Sequence, residues 1–278
     1  KQERQAQETS QTDWAREFPL KDLRERHYIT QPRMNGETVS ELLSFFAVSG
    51  IPQWEALHDN PAAQFRESPS LVASKKSQAA YLRICEIRAE VWDLPPYNRE
   101  RMEAAVQTVR ENLHRDPQEL LQLATEELKE AGVALIVEPA TEKSRLSGTA
   151  FWPRRNKAIL ALTIRFKTAD HLWFSFFHEA GHILLHRDRQ VLETPDATGI
   201  LEDEADRFAR EMLIPPDAYR SLVQDPPLTE AKIVHTAEAH ELPADSLVGM
   251  LQHDKVITHG QFNHLKRYLK ANEGETGQ

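Results

Sequence analysis

Residues 172–186 read L-W-F-S-F-F-H-E-A-G-H-I-L-L-H, and this stretch gives the clearest indication of the fold. Apart from one serine, three histidines and one glutamate it is apolar on nearly every side, which is typical of a helix buried in a core. Thr168 can cap this helix, which we expect to end near Arg187. Burying imidazoles and a carboxylate without partners would be costly. The sequence therefore predicts a metal ion held among these polar groups.

Two of the histidines, His178 and His182, form an H-E-x-x-H motif with Glu179 beside the first of them. Their spacing of four residues places both imidazoles on one helix face at metal-binding distance. Zinc with three protein ligands keeps its fourth position for a water molecule and lowers the pKa of that water to about 7. Glu179 can reach this water without ligating the metal. It is therefore the candidate general base.

The next predicted helix, about 202–213, supplies the candidate third ligand because it opens with an acidic run, E-D-E-A-D. On a helical wheel Glu202 lies nearer the apolar face than Glu204, so Glu202 is the expected ligand and Glu204 the reserve. Asp206 can orient a ligating histidine through the second ring nitrogen. Alternatively, the acidic residues only complement the helix dipole. Zn²⁺ is the expected ion, and Mn²⁺ or Fe²⁺ would suit the same ligands.

His186 continues the four-residue series, but residues at this spacing drift around a helix by about 40 degrees at each step. One small ion rarely suits three such side chains. We therefore expect His186 to lie beside the ligands, either as a partner of one of them or as a core residue.

The periodicity of the chain changes along its length and predicts an α+β fold. We expect a polar arm or linker (1–35), a helical module (36–131), a small-sheet core that includes the motif (132–216) and a helical C-terminal region (217–278). The predicted strands are Val133–Val137, Gly148–Trp152 and Ala158–Ile164, the last two as a hairpin. The strand Ala158–Ile164 could offer an edge to which an extended peptide adds, or it could be an ordinary core strand.

The composition favours a soluble protein of a reducing compartment. The 278 residues are 40% hydrophobic and 28% charged, and no apolar run approaches the roughly 18 residues of a membrane span. The single cysteine, Cys85, cannot form an internal disulfide, and no signal segment opens the chain, so we expect a cytoplasmic location. A formal net charge of -9 argues against a dominant DNA-binding surface.

The stretch from Leu172 to His186 and the later stretch E-D-E-A-D-R-F-A-R-E-M-L-I-P, Glu202 to Pro215, together resemble the ImmA/IrrE family of metallopeptidases. The segments Ala80–Glu86, Ala131–Val137 and Ser147–Trp152 are similar to larger members. The resemblance implies a compact zincin core of the gluzincin type, with two histidines and a glutamate on zinc. It also implies cleavage of a helix-turn-helix repressor or antitoxin, which would release a stress, prophage or mobile-element response.

In many relatives of this length an Xre-type helix-turn-helix domain precedes this region, and a chain beginning at Lys1 fits a shortened or processed form. The segment Ile233–Val256 faintly resembles another helix-turn-helix. Its candidate recognition helix, Ala244–His253, has no lysine or arginine, so we expect helical packing rather than direct DNA binding. The expected partner is a protein substrate and not a membrane, and the oligomeric state stays open, a dimer included. The alternative function is a regulator that uses the fold as a non-proteolytic sensing or dimerisation module.

Overall fold

The computed structural model describes residues 2–58, 74–154, 156–163, 168–187 and 195–269. Within these residues, twelve α-helices and a three-stranded sheet confirm the predicted α+β class. The internal contacts divide the chain into two units. The first comprises Lys1–Val91, Pro139–Leu146 and Val191–Thr194, and the second comprises Trp92–Glu138, Ser147–Gln190 and Pro195–Gln278. The four parts expected from the sequence are a different grouping, and their boundaries stay a prediction.

The first unit is helical. Its helices are α1 (Gln2–Arg16), α2 (Leu20–Glu25), α3 (Gly36–Phe45), α4 (Ile51–His58) and α5 (Lys75–Glu90). The expected polar arm contributes Trp14, Phe18 and Leu23 to the buried core of this unit. The rings of Trp14 and Phe18 pack edge to face with their centroids 4.7 Å apart. A few large apolar side chains therefore anchor a segment whose other residues are mostly polar.

The second unit contains the sheet and the helices around it. Its elements are α6 (Arg99–Glu111), α7 (Pro117–Glu130), β1 (Val133–Val137), β2 (Gly148–Arg154), β3 (Lys157–Leu162), α8 (Ala169–His186), α9 (Pro195–Leu213), α10 (Pro216–Val223), α11 (Glu230–Ala239) and α12 (Ala244–His253). A 3₁₀ turn follows at Asn263–Leu265. The side chain of Asp116 caps α7 by accepting a hydrogen bond from the backbone N–H of Gln118. No helix in the described ranges is long and apolar enough to cross a bilayer.

The three strands are ordered β1-β3-β2 in the sheet. β1 pairs with β3 in parallel, whereas β2 and β3 are antiparallel and form the predicted hairpin. β3 is therefore the central strand, and the suggestion that this strand offers a free edge is wrong. Five of its six residues are buried, as expected for a strand whose two faces are both covered. β1 and β2 are the two outer strands.

The helix that carries the motif, α8, lies in the core of the second unit. Trp173, Phe176 and Phe177 are fully buried there. Thr168 is the N-cap residue of α8, as expected, but its hydroxyl accepts no hydrogen bond from the first turn. Instead, the backbone N–H of Ala169 donates to the carbonyl of Arg267 at 2.9 Å. The carbonyl of Arg267 therefore satisfies the first backbone N–H of α8. No local sequence pattern predicts this distant partner.

Candidate metal centre

Three side chains from α8 and α9 converge within the second unit. The Nε2 atoms of His178 and His182 lie 3.1 Å apart, and each lies 3.3 Å from a carboxylate oxygen of Glu202. One ligand atom from each residue falls within 4.8 Å of the other two. Two imidazoles and one carboxylate are a donor set for zinc and for other divalent transition metals. The group could therefore hold a metal ion.

The start of α9 decides between the interpretations of the acidic run. The helix begins at Pro195, seven residues before Glu202, rather than at about residue 202 as predicted. The dipole favours acidic side chains only within the first turn. The helix dipole therefore does not account for the acidic side chain of Glu202. Glu204 is directed elsewhere, with Oε2 3.0 Å from Nε2 of His186, so the geometry favours Glu202 as the third ligand.

The second nitrogens of the two motif histidines also have partners. His178 Nδ1–H donates to Asp206 Oδ1 at 2.7 Å, which leaves Nε2 of His178 facing Glu202. His182 Nδ1 lies 3.0 Å from His186 Nδ1. If His186 Nε2–H donates to Glu204, its Nδ1 is an acceptor and His182 Nδ1–H is the donor. With a metal ion bound, both motif histidines could then present an unprotonated Nε2 to it, as metal ligands must.

We call these six side chains the histidine–carboxylate cluster: His178, His182, His186, Glu202, Glu204 and Asp206. Asp206 and His186 lie where the sequence analysis expected them, next to the candidate ligands rather than among them. Their roles stay a prediction.

The pKa values of His178 and Glu202 show that each side chain favours its charged form. Burial by itself would lower the pKa of His178, but its hydrogen bonds with Asp206 and Glu202 outweigh burial and raise this pKa to about 10. Burial would raise the pKa of Glu202, but the imidazoles of His178 and His182 hold it well below its usual range. A proton on His178 supplies part of the charge that the carboxylates favour. A divalent cation between the same atoms would supply more.

Glu179 lies against β2, one of the two outer strands of the sheet. A Cβ atom on Gly148, the first residue of β2, would lie 2.9 Å from both Cγ and Oε1 of Glu179. Any larger residue at this position would force the buried Glu179 side chain to shift. The sequence analysis assigned no role to Gly148. An isolated glycine in a strand often marks such a close approach, and this was the signal that could have found it.

A second glycine sets the distance between α8 and α9. A Cβ atom on Gly181, inside the motif, would lie 3.1 Å from Cδ1 of Phe208 and 3.4 Å from Cα of Ala205. Glycine therefore lets α9 pack closely on the motif helix. This close packing brings Glu202 within reach of the two histidines.

The comparison with known families agrees with this geometry. Residues 128–248 match the IrrE N-terminal-like domain, Peptidase_M78. The predicted resemblance to the ImmA/IrrE family is confirmed over these residues. No curated protein matches the chain. The matched range includes the sheet, α8 and α9, and thus the whole cluster, and it supports a metal-dependent peptidase, that is, a hydrolase, in general terms.

The match also extends into the segment that resembles a helix-turn-helix. The candidate recognition helix, α12, is largely covered by the rest of the unit. Its buried residues are Asp245, Ser246, Leu247, Val248, Met250, Leu251 and Gln252. A recognition helix needs an exposed face that reaches DNA, usually with basic residues. The burial of α12 therefore supports the interpretation as helical packing.

Proposed function

We propose that the second unit is a zinc-dependent endopeptidase that cleaves a helix-turn-helix repressor or antitoxin. The observation that carries this proposal is the convergence of His178, His182 and Glu202, with Glu179 next to His178 on the same helix. The family match supports the peptidase class. The proposal goes further in three respects: the metal is zinc, the cleavage is internal, and the substrate is a repressor or antitoxin. The family resemblance is the reason for proposing that substrate.

In this mechanism the three converging residues hold the ion, through both Nε2 atoms and the Glu202 carboxylate. A bound zinc ion would supply Lewis acidity, polarising the substrate carbonyl and lowering the pKa of water. Glu179 accepts a proton as the water oxygen attacks the carbonyl carbon. When the C–N bond breaks, Glu179 returns that proton to the leaving amine. Asp206 and His186 keep the two ligating rings in position.

The outer strand β2 suggests how the substrate lies. An extended peptide can add to the outer strand of a sheet through backbone hydrogen bonds. Because Gly148 brings Glu179 against β2, a peptide paired there would pass close to the general base. A strand-like path accepts a chain that continues in both directions. This arrangement supports cleavage within a chain rather than at its end.

The test combines metal analysis with a cleavage assay on the repressor encoded nearest to this chain. The wild type is expected to bind about one zinc per chain. His178→Ala should lose both metal and cleavage. Glu179→Gln should keep the metal but cleave about 10² to 10⁴ times more slowly, because it lacks the general base. Glu119→Gln, an exposed position on α7, is the matched control and should behave like the wild type.

Two results would count against the proposal in different ways. If the wild type binds metal but cleaves no repressor, the alternative of a non-proteolytic regulator is favoured. If no metal binds even when zinc is supplied, the metal centre itself is refuted.

A further inference from the structure

A cavity of about 490 Å³ lies between α9, α10 and α12 in the second unit. Its walls are mainly apolar and come from Ile214, Pro216, Tyr219, Val223, Met250 and Val256. Concave sites of about 300–1,000 Å³ with apolar walls and a few polar groups are typical of small-molecule binding sites. None of the lining residues belongs to the histidine–carboxylate cluster. The cavity is therefore a separate candidate site.

The inner polar group of this cavity is already neutralised. The Asp254 carboxylate accepts hydrogen bonds from Nη1 of Arg210 at 2.8 Å and from the Tyr219 hydroxyl at 2.7 Å. One carboxylate is thus matched by one guanidinium. A bound molecule need not compensate the charge of Asp254. The remaining charges of the lining decide the charge of the ligand that fits.

These remaining charges favour an anion. Arg207, Arg220 and Glu211 are all exposed members of the lining. Arg220 lies 3.1 Å from Asp217, but both side chains are more than half exposed, and such surface pairs are weak. In the described part of the chain Arg207 has no ion-pair partner. Asp217 is not part of the lining, so within the lining itself these two exposed arginines face one exposed glutamate beside an apolar cavity.

We propose that this cavity binds a small apolar molecule that carries one carboxylate. The apolar part fills the space next to Val223 and Met250, and the carboxylate lies among the exposed arginines. The proposal does not depend on peptidase activity, because binding alone is its subject. Its failure would therefore leave the proposed function untouched.

The probe is octanoate, measured by calorimetry and ligand-observed NMR on the whole chain. Octylamine and 1-octanol, which have the same chain length, serve as the cationic and neutral comparisons. We expect octanoate to bind most tightly. In the double variant Arg207→Gln/Arg220→Gln, octanoate should bind about two to five times more weakly, while 1-octanol should be unaffected. Lys129→Gln, an exposed position on α7, controls for the loss of positive charge.

A second variant tests whether the ligand lies inside the cavity. Val223→Trp fills the space and should weaken octanoate about tenfold or more. Ser221→Trp adds the same side chain at an exposed position of α10 that is not part of the lining, and should bind octanoate normally. Circular dichroism and denaturant unfolding verify that both variants fold. If Val223→Trp does not fold, Val223→Phe takes its place.

Three outcomes would overturn the proposal. Octanoate fails to bind the wild type, or octylamine binds as tightly as octanoate, or a folded cavity-filling variant binds octanoate like the wild type. Tightest binding of octanoate, lost on filling the cavity and weakened by removing the arginines, would establish the site.

Discussion

Two groups of polar side chains lie along α8, and their charges are arranged in opposite ways. Near the start of the helix, Lys266 Nζ lies 2.7 Å from Asp170, and Arg267 lies 2.8 Å from Asp245, so each acid has its own base. In the histidine–carboxylate cluster the described contacts join three imidazoles to three carboxylates. The first group has no formal net charge, whereas the second has three negative charges when its imidazoles are neutral. A balanced buried group can serve the fold alone, whereas this formally unbalanced group brings imidazoles and a carboxylate to metal-binding distance.

The largest expected effect breaks the balanced group. Lys266→Met leaves the Asp170 carboxylate, which is only 3% exposed, without its cation. The free energy of unfolding should fall by about 3–5 kcal/mol, measured with denaturant, while zinc binding to the folded protein is retained. Adding Asp170→Asn should recover part of the loss, because no uncompensated charge remains. Lys129→Met is the surface control. Loss of zinc with unchanged stability would contradict this division of roles.

The unbalanced group should show the reverse behaviour. Zinc at about 100 times its Kd should stabilise the wild type by about 2.7 kcal/mol, because it binds the folded state. His182→Ala should lose this gain, and its stability without metal should stay close to that of the metal-free wild type. His235→Ala, an exposed position on α11, should keep the full gain. A gain that persists in His182→Ala would place the metal elsewhere.

A smaller effect is expected where a cluster residue contacts a ligand without binding metal itself. Asp206→Asn weakens the hydrogen bond that orients the His178 ring through Nδ1, so zinc should bind about 10 to 100 times more weakly. Competition with a zinc-binding dye measures this change. Asp203→Asn removes the same charge from an exposed position of the same helix and is the matched control. Equal weakening in both variants would mean that overall charge matters and that the hydrogen bond to His178 does not.

Some features of the molecule could be predicted from local sequence patterns. The motif histidines lie four residues apart on one helix, so periodicity alone places them together. The hairpin and the cap of α7 follow from equally local patterns. Glu202 lies 20 residues after His182, yet the apolar face of its helix indicated which acidic residue turns inward.

Other features depend on residues that are distant in the chain. Lys266 is 96 residues from Asp170, and no periodic pattern links two such positions. Whether β3 is a central or an outer strand depends on its pairing with β1, which the alternation of β3 does not reveal. The close contact of Gly148 with Glu179 likewise arises only when β2 packs against α8. Tertiary contacts determine all three of these features.

The smallest expected effect separates the two acidic residues that the sequence left open. Glu204→Ala removes the acceptor of His186 and only indirectly disturbs His182, so zinc should bind about 2 to 10 times more weakly. Glu204→Gln keeps an oxygen acceptor and should bind zinc nearly as the wild type does. Glu202→Ala, by contrast, should lose the metal as His182→Ala does, because it removes a ligand. The same dye competition compares all three, and loss of metal in Glu204→Ala would exchange the roles of the two glutamates.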